Sequence, residues 1–159
     1  MKSFTLIELL ITTSIILIFG GLSLASYNQF NEEQKLKNEA RKFVDALELA
    51  KKKAITGDIG SYTCDNFFGT RVTISSSSYT VKLCCQANCN NSTPTLPPYG
   101  FASNIQSLST GSITFSHLEA KISGITSFTL INTTINKCLT ISISSAGVVT
   151  LNENLSNCP

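Results

Sequence analysis

FTLIELLITTSIILIFGGLSLA, residues Phe4 to Ala25, is apolar enough to cross a bilayer yet holds a carboxylate, Glu8, near its start. No charged residue follows Glu8 until Glu32. About 20 apolar residues suffice for a helix to span the hydrocarbon core. A carboxylate at the centre of such a helix costs roughly 2.5–3.5 kcal/mol, and intramembrane acids generally have a partner. Glu8 is therefore the residue that any account of this stretch has to place.

Three readings compete. In the first, the stretch is a secretory signal, with Lys2 as the charged start, Leu9 to Phe19 as the apolar region and Ser23-Leu24-Ala25 as the cleavage site; Glu8, set against the apolar region, fits this poorly. In the second it is a plain membrane anchor and Glu8 is tolerated near the interface. In the third it is a helix that passes from membrane to polymer, and Glu8 meets a positive charge on a neighbouring subunit. The segment Phe4-Thr5-Leu6-Ile7-Glu8-Leu9-Leu10 resembles the start of mature type IV pilins and type II secretion pseudopilins. That resemblance implies a leader, Met1-Lys2-Ser3, removed by a prepilin peptidase between Ser3 and Phe4, and methylation of Phe4. It also implies that Glu8 pairs with the free amine of Phe4 on an adjacent subunit during assembly. The family prefers Gly before the cut, where this chain has Ser3.

The rest of the 159-residue chain fits one modest domain. The formal net charge is only +2, so a general attraction to nucleic acid is not written into the total. Residues 1–58 hold eight of the 12 Lys and Arg and seven of the 10 acids. The remainder is nearly neutral and rich in Ser, Thr and Asn. From Asn31 the helix continues in polar form: Leu36, Ala40, Phe43, Leu47, Ala50 and Ala54 recur at spacings of four and three, one face of an α-helix. This face is expected to pack on the protein's own sheet, and Gly57 to end the helix. A continuous helix from Phe4 to Thr56 would be about 80 Å long at 1.5 Å per residue. Its first half would protrude, which resembles the lollipop form of the pilins. Gly20-Gly21 lies in the protruding half and marks either a place to bend or a site of close helix packing.

Beyond Tyr62 the pattern changes to short β-like runs. Arg71–Ser75 and Tyr79–Cys85 flank Ser76-Ser77-Ser78 as a hairpin, and Asn88 to Gly100, with three prolines, reads as a loop. Ser112–Phe115, Ser127–Ile131, Cys138–Ile143 and Val148–Leu151 follow as strands, the last two joined by Ser144-Ser145-Ala146-Gly147. Leu139, Ile141 and Ile143 share one buried face, with Cys138 on the other. The expected fold is α+β: residues 1–3 leader, 4–30 membrane stalk, 31–57 amphipathic helix packed on an antiparallel β-sheet, and 58–159 a β-rich globular domain.

Cys64, Cys84, Cys85, Cys89, Cys138 and Cys158 all lie past the helix, and an even count in a domain outside the cytoplasm reads as disulfides. Six cysteines allow 15 connectivities. Cys84 and Cys85 are expected to reach different partners, since neighbouring strand residues face opposite ways, and Cys138 with Cys158 would pin the C-terminal end to the sheet. A zinc site at Cys84-Cys85-Gln86-Ala87-Asn88-Cys89 is the rival idea, but it lacks a C-x-x-C pair or a nearby His. No cofactor and no metal is called for. His117 is the lone histidine, read as filler rather than as a base, and no nucleotide-binding glycine motif is present. The chain reads as a non-enzyme.

Ala50-Lys51-Lys52-Lys53-Ala54-Ile55 and Ile143-Ser144-Ser145-Ala146-Gly147-Val148-Val149 are similar to short motifs of GspH/FimT-like minor pseudopilins and minor pilins. The resemblance implies as partners other pilin-like subunits, the prepilin peptidase, an inner-membrane assembly platform and membrane lipid. The N-terminus is expected in the cytoplasm and the domain outside, although Lys35, Lys37 and Arg41 oppose this by the positive-inside count. The alternatives are a minor pilin acting in DNA uptake or adhesion, and a secreted protein with an ordinary signal peptide. For DNA, Lys51-Lys52-Lys53 is the only basic run, and a solvated helix face accounts for it better.

Overall fold

The computed structural model describes residues 5–86, 89, 92–94, 97–119 and 121–158, with the side chains of 21–25 and 92–94 outside that set. One helix, α1 (Leu6–Thr56), takes up 51 residues. Thr5 caps its N-terminus from an extended conformation (φ −81°, ψ 150°), and Gly57 ends it in the left-handed region (φ 65°). A side chain at Gly57 would be strained by that φ and would press on the His117 ring, 3.0 Å from the built Cβ position. The helix assignment runs unbroken through Gly20 and Gly21.

The second half of α1 buries the face its sequence lays out. Leu36, Ala40, Phe43, Leu47, Ala50 and Ala54 are each fully buried. They pack against two antiparallel sheets, not the single sheet expected. The larger sheet runs β3 (Ser92–Pro94), β2 (Ser78–Cys84), β1 (Gly69–Ile74), β6 (Gly111–Ser116), β7 (Ile122–Gly124), with β4 (Tyr99–Gly100) pairing β2 off that path. The smaller runs β10 (Val149–Asn157), β9 (Lys137–Ile143), β8 (Ser127–Asn132), β5 (Ile105–Ser107). Phe43 sits where they meet: its ring lies 5.0 Å from Tyr79 on β2 and 5.4 Å from Phe128 on β8. The architecture is thus α+β, a long N-terminal helix docked by its second half on antiparallel sheets.

The expected strands form with small shifts of boundary. Two further corrections concern segments too short to show alternation: β5 and β7 fall in stretches not read as strands, and Asn88–Gly100 contains β3 and β4 rather than being loop throughout. Each is pinned by a longer neighbour, β5 by β8 and β7 by β6. The last strand is also longer than expected, with an irregular register between Asn152 and Ser156. Leu139, Ile141 and Ile143 are buried on one face of β9, and Cys138 is buried on the other beneath its bond to Cys158.

Candidate functional site: the exposed half of the helix

Over Leu6 to Gly20 and Ser26 to Phe30 the helix stands clear of the domain, and its described apolar side chains lie in the open on every side. Leu6, Ile7, Leu9, Leu10, Ile11, Ile15, Ile16, Leu17, Ile18, Tyr27 and Phe30 are all exposed, Leu6 to 83%. A helix that is apolar all round belongs inside an apolar environment, either a membrane or a protein interior. Among the described residues no helix is long and apolar enough to cross a membrane. The described side chains of this run stop at Gly20 and resume at Ser26.

The polar groups in the run are turned back onto the helix. Thr12 Oγ1 donates to Leu9 O (3.0 Å), Thr13 Oγ1 to Leu10 O (3.1 Å) and Ser14 Oγ to Leu10 O (2.8 Å). Hydroxyls satisfied in this way expose no unpaired donor to an apolar neighbour. Sequence reading missed this; three consecutive hydroxyl residues inside an apolar run were the available signal.

Glu8 closes a capping box at the first turn. Glu8 N donates to Thr5 Oγ1 (3.3 Å), while Glu8 Oε2 accepts from Thr5 N (3.3 Å) and from Thr5 Oγ1 (3.2 Å). The carboxylate therefore sits at the positive end of the helix, where backbone N–H groups lack intrahelical partners and a negative charge is stabilised. Ser3 and Phe4, the residues expected at the cut, lie outside the described residues.

At the neck, where the helix meets the domain, Glu32 accepts from Lys35 Nζ (2.6 Å), from Asn132 Nδ2 (2.9 Å) and from Asn104 Nδ2. Asn132 Nδ2 also lies 3.2 Å from the Glu32 carbonyl. Lys35 first, then Asn132, hold the Glu32 carboxyl below its ordinary pKa. Asn132 is fully buried. Its signal in the sequence was its place two residues beyond Leu130 on the buried face of β8. A crevice of about 290 Å³ opens beside it, lined by Asn28, Gln29, Glu32, Thr134 and Ile135.

The remaining candidate residues are occupied structurally. The disulfides are Cys64–Cys85, Cys84–Cys89 and Cys138–Cys158, so adjacent Cys84 and Cys85 do reach different partners and no cysteine presents a free thiolate. His117 Nδ1 lies 2.8 Å from the Ala54 carbonyl at the end of α1, its ring edge-on to Phe67. Of the basic run, Lys51 faces Glu48 at 3.9 Å and Lys53 pairs with Asp58 at 2.8 Å. Comparison with protein-family models, with curated proteins and with solved structures returns no match.

Proposed function

We propose that this chain is a structural subunit of a pilin-like filament, a type IV pilus or a type II secretion pseudopilus, assembled through its apolar N-terminal helix. It is inserted in the inner membrane with its domain outside the cytoplasm, cut between Ser3 and Phe4, and added to the filament as its helix packs among those of its neighbours. Burial of apolar surface supplies the non-directional drive. Pairing of Glu8 with the Phe4 amine of a neighbour supplies axial register, a role a plain anchor would not give it. The lollipop form and the minor-pseudopilin subgroup belong to the same proposal.

The observation that supports this reading is the division of α1 into a fully docked half and an exposed apolar half. Three disulfides favour an oxidising compartment for the domain. The DNA alternative is disfavoured because two lysines of the basic run already face acids.

The test is intact mass and N-terminal sequence of the protein recovered from membranes of its own host. A chain starting at Phe4 and carrying one added methyl is expected; a chain starting near Ser26 would mean a cleaved secretory signal and would sink the proposal. Glu8→Ala should insert and fold like the parent but fail to enter filaments. Normal incorporation of that variant would remove the register role.

A further inference from the structure

The structure assigns a carbohydrate-attachment site: Asn154, at the crest of a bulge in β10, as the acceptor of an N-linked glycan. The assignment rests on one part of the reading above, the placement of the domain outside the cytoplasm, and adds to it a modification of the domain surface.

Four Asn-x-Ser/Thr triplets with x other than Pro occur in the chain, beginning at Asn90, Asn91, Asn132 and Asn154. Such a triplet is an acceptor for N-linked sugar at the surface of a domain that leaves the cytoplasm. Asn90 and Asn91 lie outside the described residues. The other two stand in opposite surroundings.

Asn132 is fully buried. Its Nδ2 donates to the Glu32 carboxylate (2.9 Å) and lies 3.2 Å from the Glu32 carbonyl, while its Oδ1 accepts from Thr134 N (2.9 Å). A sugar on that nitrogen would have to displace Glu32 and open the neck. Asn132 is therefore a structural residue that happens to begin a triplet.

Asn154 is exposed, and its side chain has no hydrogen-bond partner among the described residues. β10 pairs with β9 as far as Asn152 opposite Thr140 and resumes at Ser156 opposite Cys138. Residues 153–155 thus stand against Leu139 alone. A bulge of this kind bends its strand and re-aims side chains. Asn152 Oδ1 accepts from Asn154 N (3.1 Å), a local side-chain bond that takes the place of a ladder partner. Both neighbours are anchored: Glu153 accepts from Arg41 Nη2 (2.9 Å), and Leu155 packs against the core. Asn154 is left as the exposed residue between them, and Ser156, the hydroxyl of its triplet, is exposed as well.

The donor class is an oligosaccharide carried on a membrane lipid through a diphosphate. The bond from Asn154 Nδ2 to the sugar C1 forms and the bond from C1 to the diphosphate oxygen breaks. The lipid diphosphate leaves, and one Nδ2 proton passes to a basic group of the transferase. β10 ends its sheet, and an edge strand offers its backbone to other chains. A bulky, solubilising glycan at the bulge shields that edge.

The experiment is intact mass and peptide mapping of the full chain purified from its own host, with Asn154→Gln, Ser156→Ala and Ser156→Thr beside it. Added mass of one or more sugar residues is expected on the peptide that holds Asn154. It should be lost in Asn154→Gln and Ser156→Ala and kept in Ser156→Thr. Asn154→Gln is a surface change and should accumulate and melt like the parent, so that loss of sugar is not loss of fold. A chain without sugar, sugar mapped to Asn90, Asn91 or Asn132, or sugar that survives in Asn154→Gln overturns the assignment. The N-terminus read from the same sample keeps the two proposals apart. A chain that starts at Phe4 and has no sugar ends the glycan and leaves the filament reading standing; one that starts near Ser26 and carries sugar on Asn154 does the reverse.

Discussion

Truncating a phenylalanine at two places on the same helix should give opposite results. Phe43 is fully buried and its ring meets three others, Tyr79 at 5.0 Å, Phe128 at 5.4 Å and Phe101 at 6.5 Å. A buried Phe→Ala change costs about 3–5 kcal/mol through lost transfer energy and the cavity left behind. Each ring pair adds roughly 0.5–1.5 kcal/mol beyond area burial. Phe43→Ala therefore belongs at the upper end, about 4–5 kcal/mol, a large part of the roughly 5–15 kcal/mol that holds a domain folded. At about 2–4 °C per kcal/mol for a chain of this size, the melting temperature should fall by roughly 10–20 °C.

Phe30, 57% exposed on the other half of α1, has no such core to lose. Phe30→Ala should change domain stability by less than about 0.5 kcal/mol, as surface substitutions generally do, while weakening association between copies. Urea unfolding in mild detergent separates the two. The signal should be near-ultraviolet circular dichroism of tyrosine, which reports the Tyr79–Tyr99 stack at 5.1 Å rather than helix held by detergent. A loss below about 2 kcal/mol for Phe43→Ala, well short of the usual range, would mean that the helix is not clamped between two sheets. A comparable loss for Phe30→Ala would mean that the exposed half is folded against the domain.

The carboxyls of Glu32, Asp58 and Glu153 are all held below their ordinary values, by Lys35, Lys53 and Arg41 respectively. Lowered folded-state values give stability that is present above the unfolded carboxylate range near pH 4 and lost as pH falls below it and through the folded values, so hydrogen-exchange protection factors at residues 28–36, corrected for the intrinsic pH dependence of exchange, should fall on acidification below about pH 4 and stay flat above about pH 5; a fall that begins near neutral pH would refute this. Burial pushes the Tyr79 hydroxyl up to about 12. A raised value gives stability present below the unfolded tyrosine range near 10 and lost as pH rises through the folded value, so tyrosinate absorbance should show one late-titrating tyrosine, removed by Tyr79→Phe. Replacing both Cys138 and Cys158 with Ser opens a link between residues 20 apart, and loop-closure entropy puts the loss at about 3 kcal/mol; an unchanged urea midpoint would show that β10 is held without it.

The two halves of the helix were legible because they carry different periodicities in plain view. An unbroken apolar run has no preferred face, whereas Leu36 to Ala54 has one, and each of those six side chains is buried. Strands β1, β2, β6, β8 and β9 were legible for the same reason, with alternation long enough to read. The division into two sheets was not. It depends on which strands pair, and β1 with β6 or β5 with β8 joins segments far apart in sequence through hydrogen bonds that alternation does not encode. The capping box at Thr5 and Glu8 could have been read as such, since Thr-x-x-Glu before an apolar run is its signature. The resemblance drew attention to Glu8 as a partner for another chain and away from the helix it caps. Leu118, in the turn after β6 with φ 67°, left no trace, because nothing in a turn sequence says that a leucine will occupy the left-handed region.

What links the exposed helix to the domain is the absence of any hinge between them. A sharp pivot would break bonds from N–H groups to the carbonyls four residues back, and α1 is continuous through the neck. Nor can it turn about its own axis, because Phe43 is held by rings on both sheets at once. Motion imposed on the exposed half therefore arrives at Glu32, whose side chain and carbonyl are both bonded to Asn132. Asn132 ends β8, and β8 pairs with β5 on one side and β9 on the other. A pull on the helix is thus shared across the interior of the smaller sheet rather than taken by an edge strand. β10 lies beyond β9, tied back through Cys138–Cys158 and through Arg41 to Glu153 at 2.9 Å. That is the arrangement a subunit needs if its head is to hold one orientation while its helix is gripped by others.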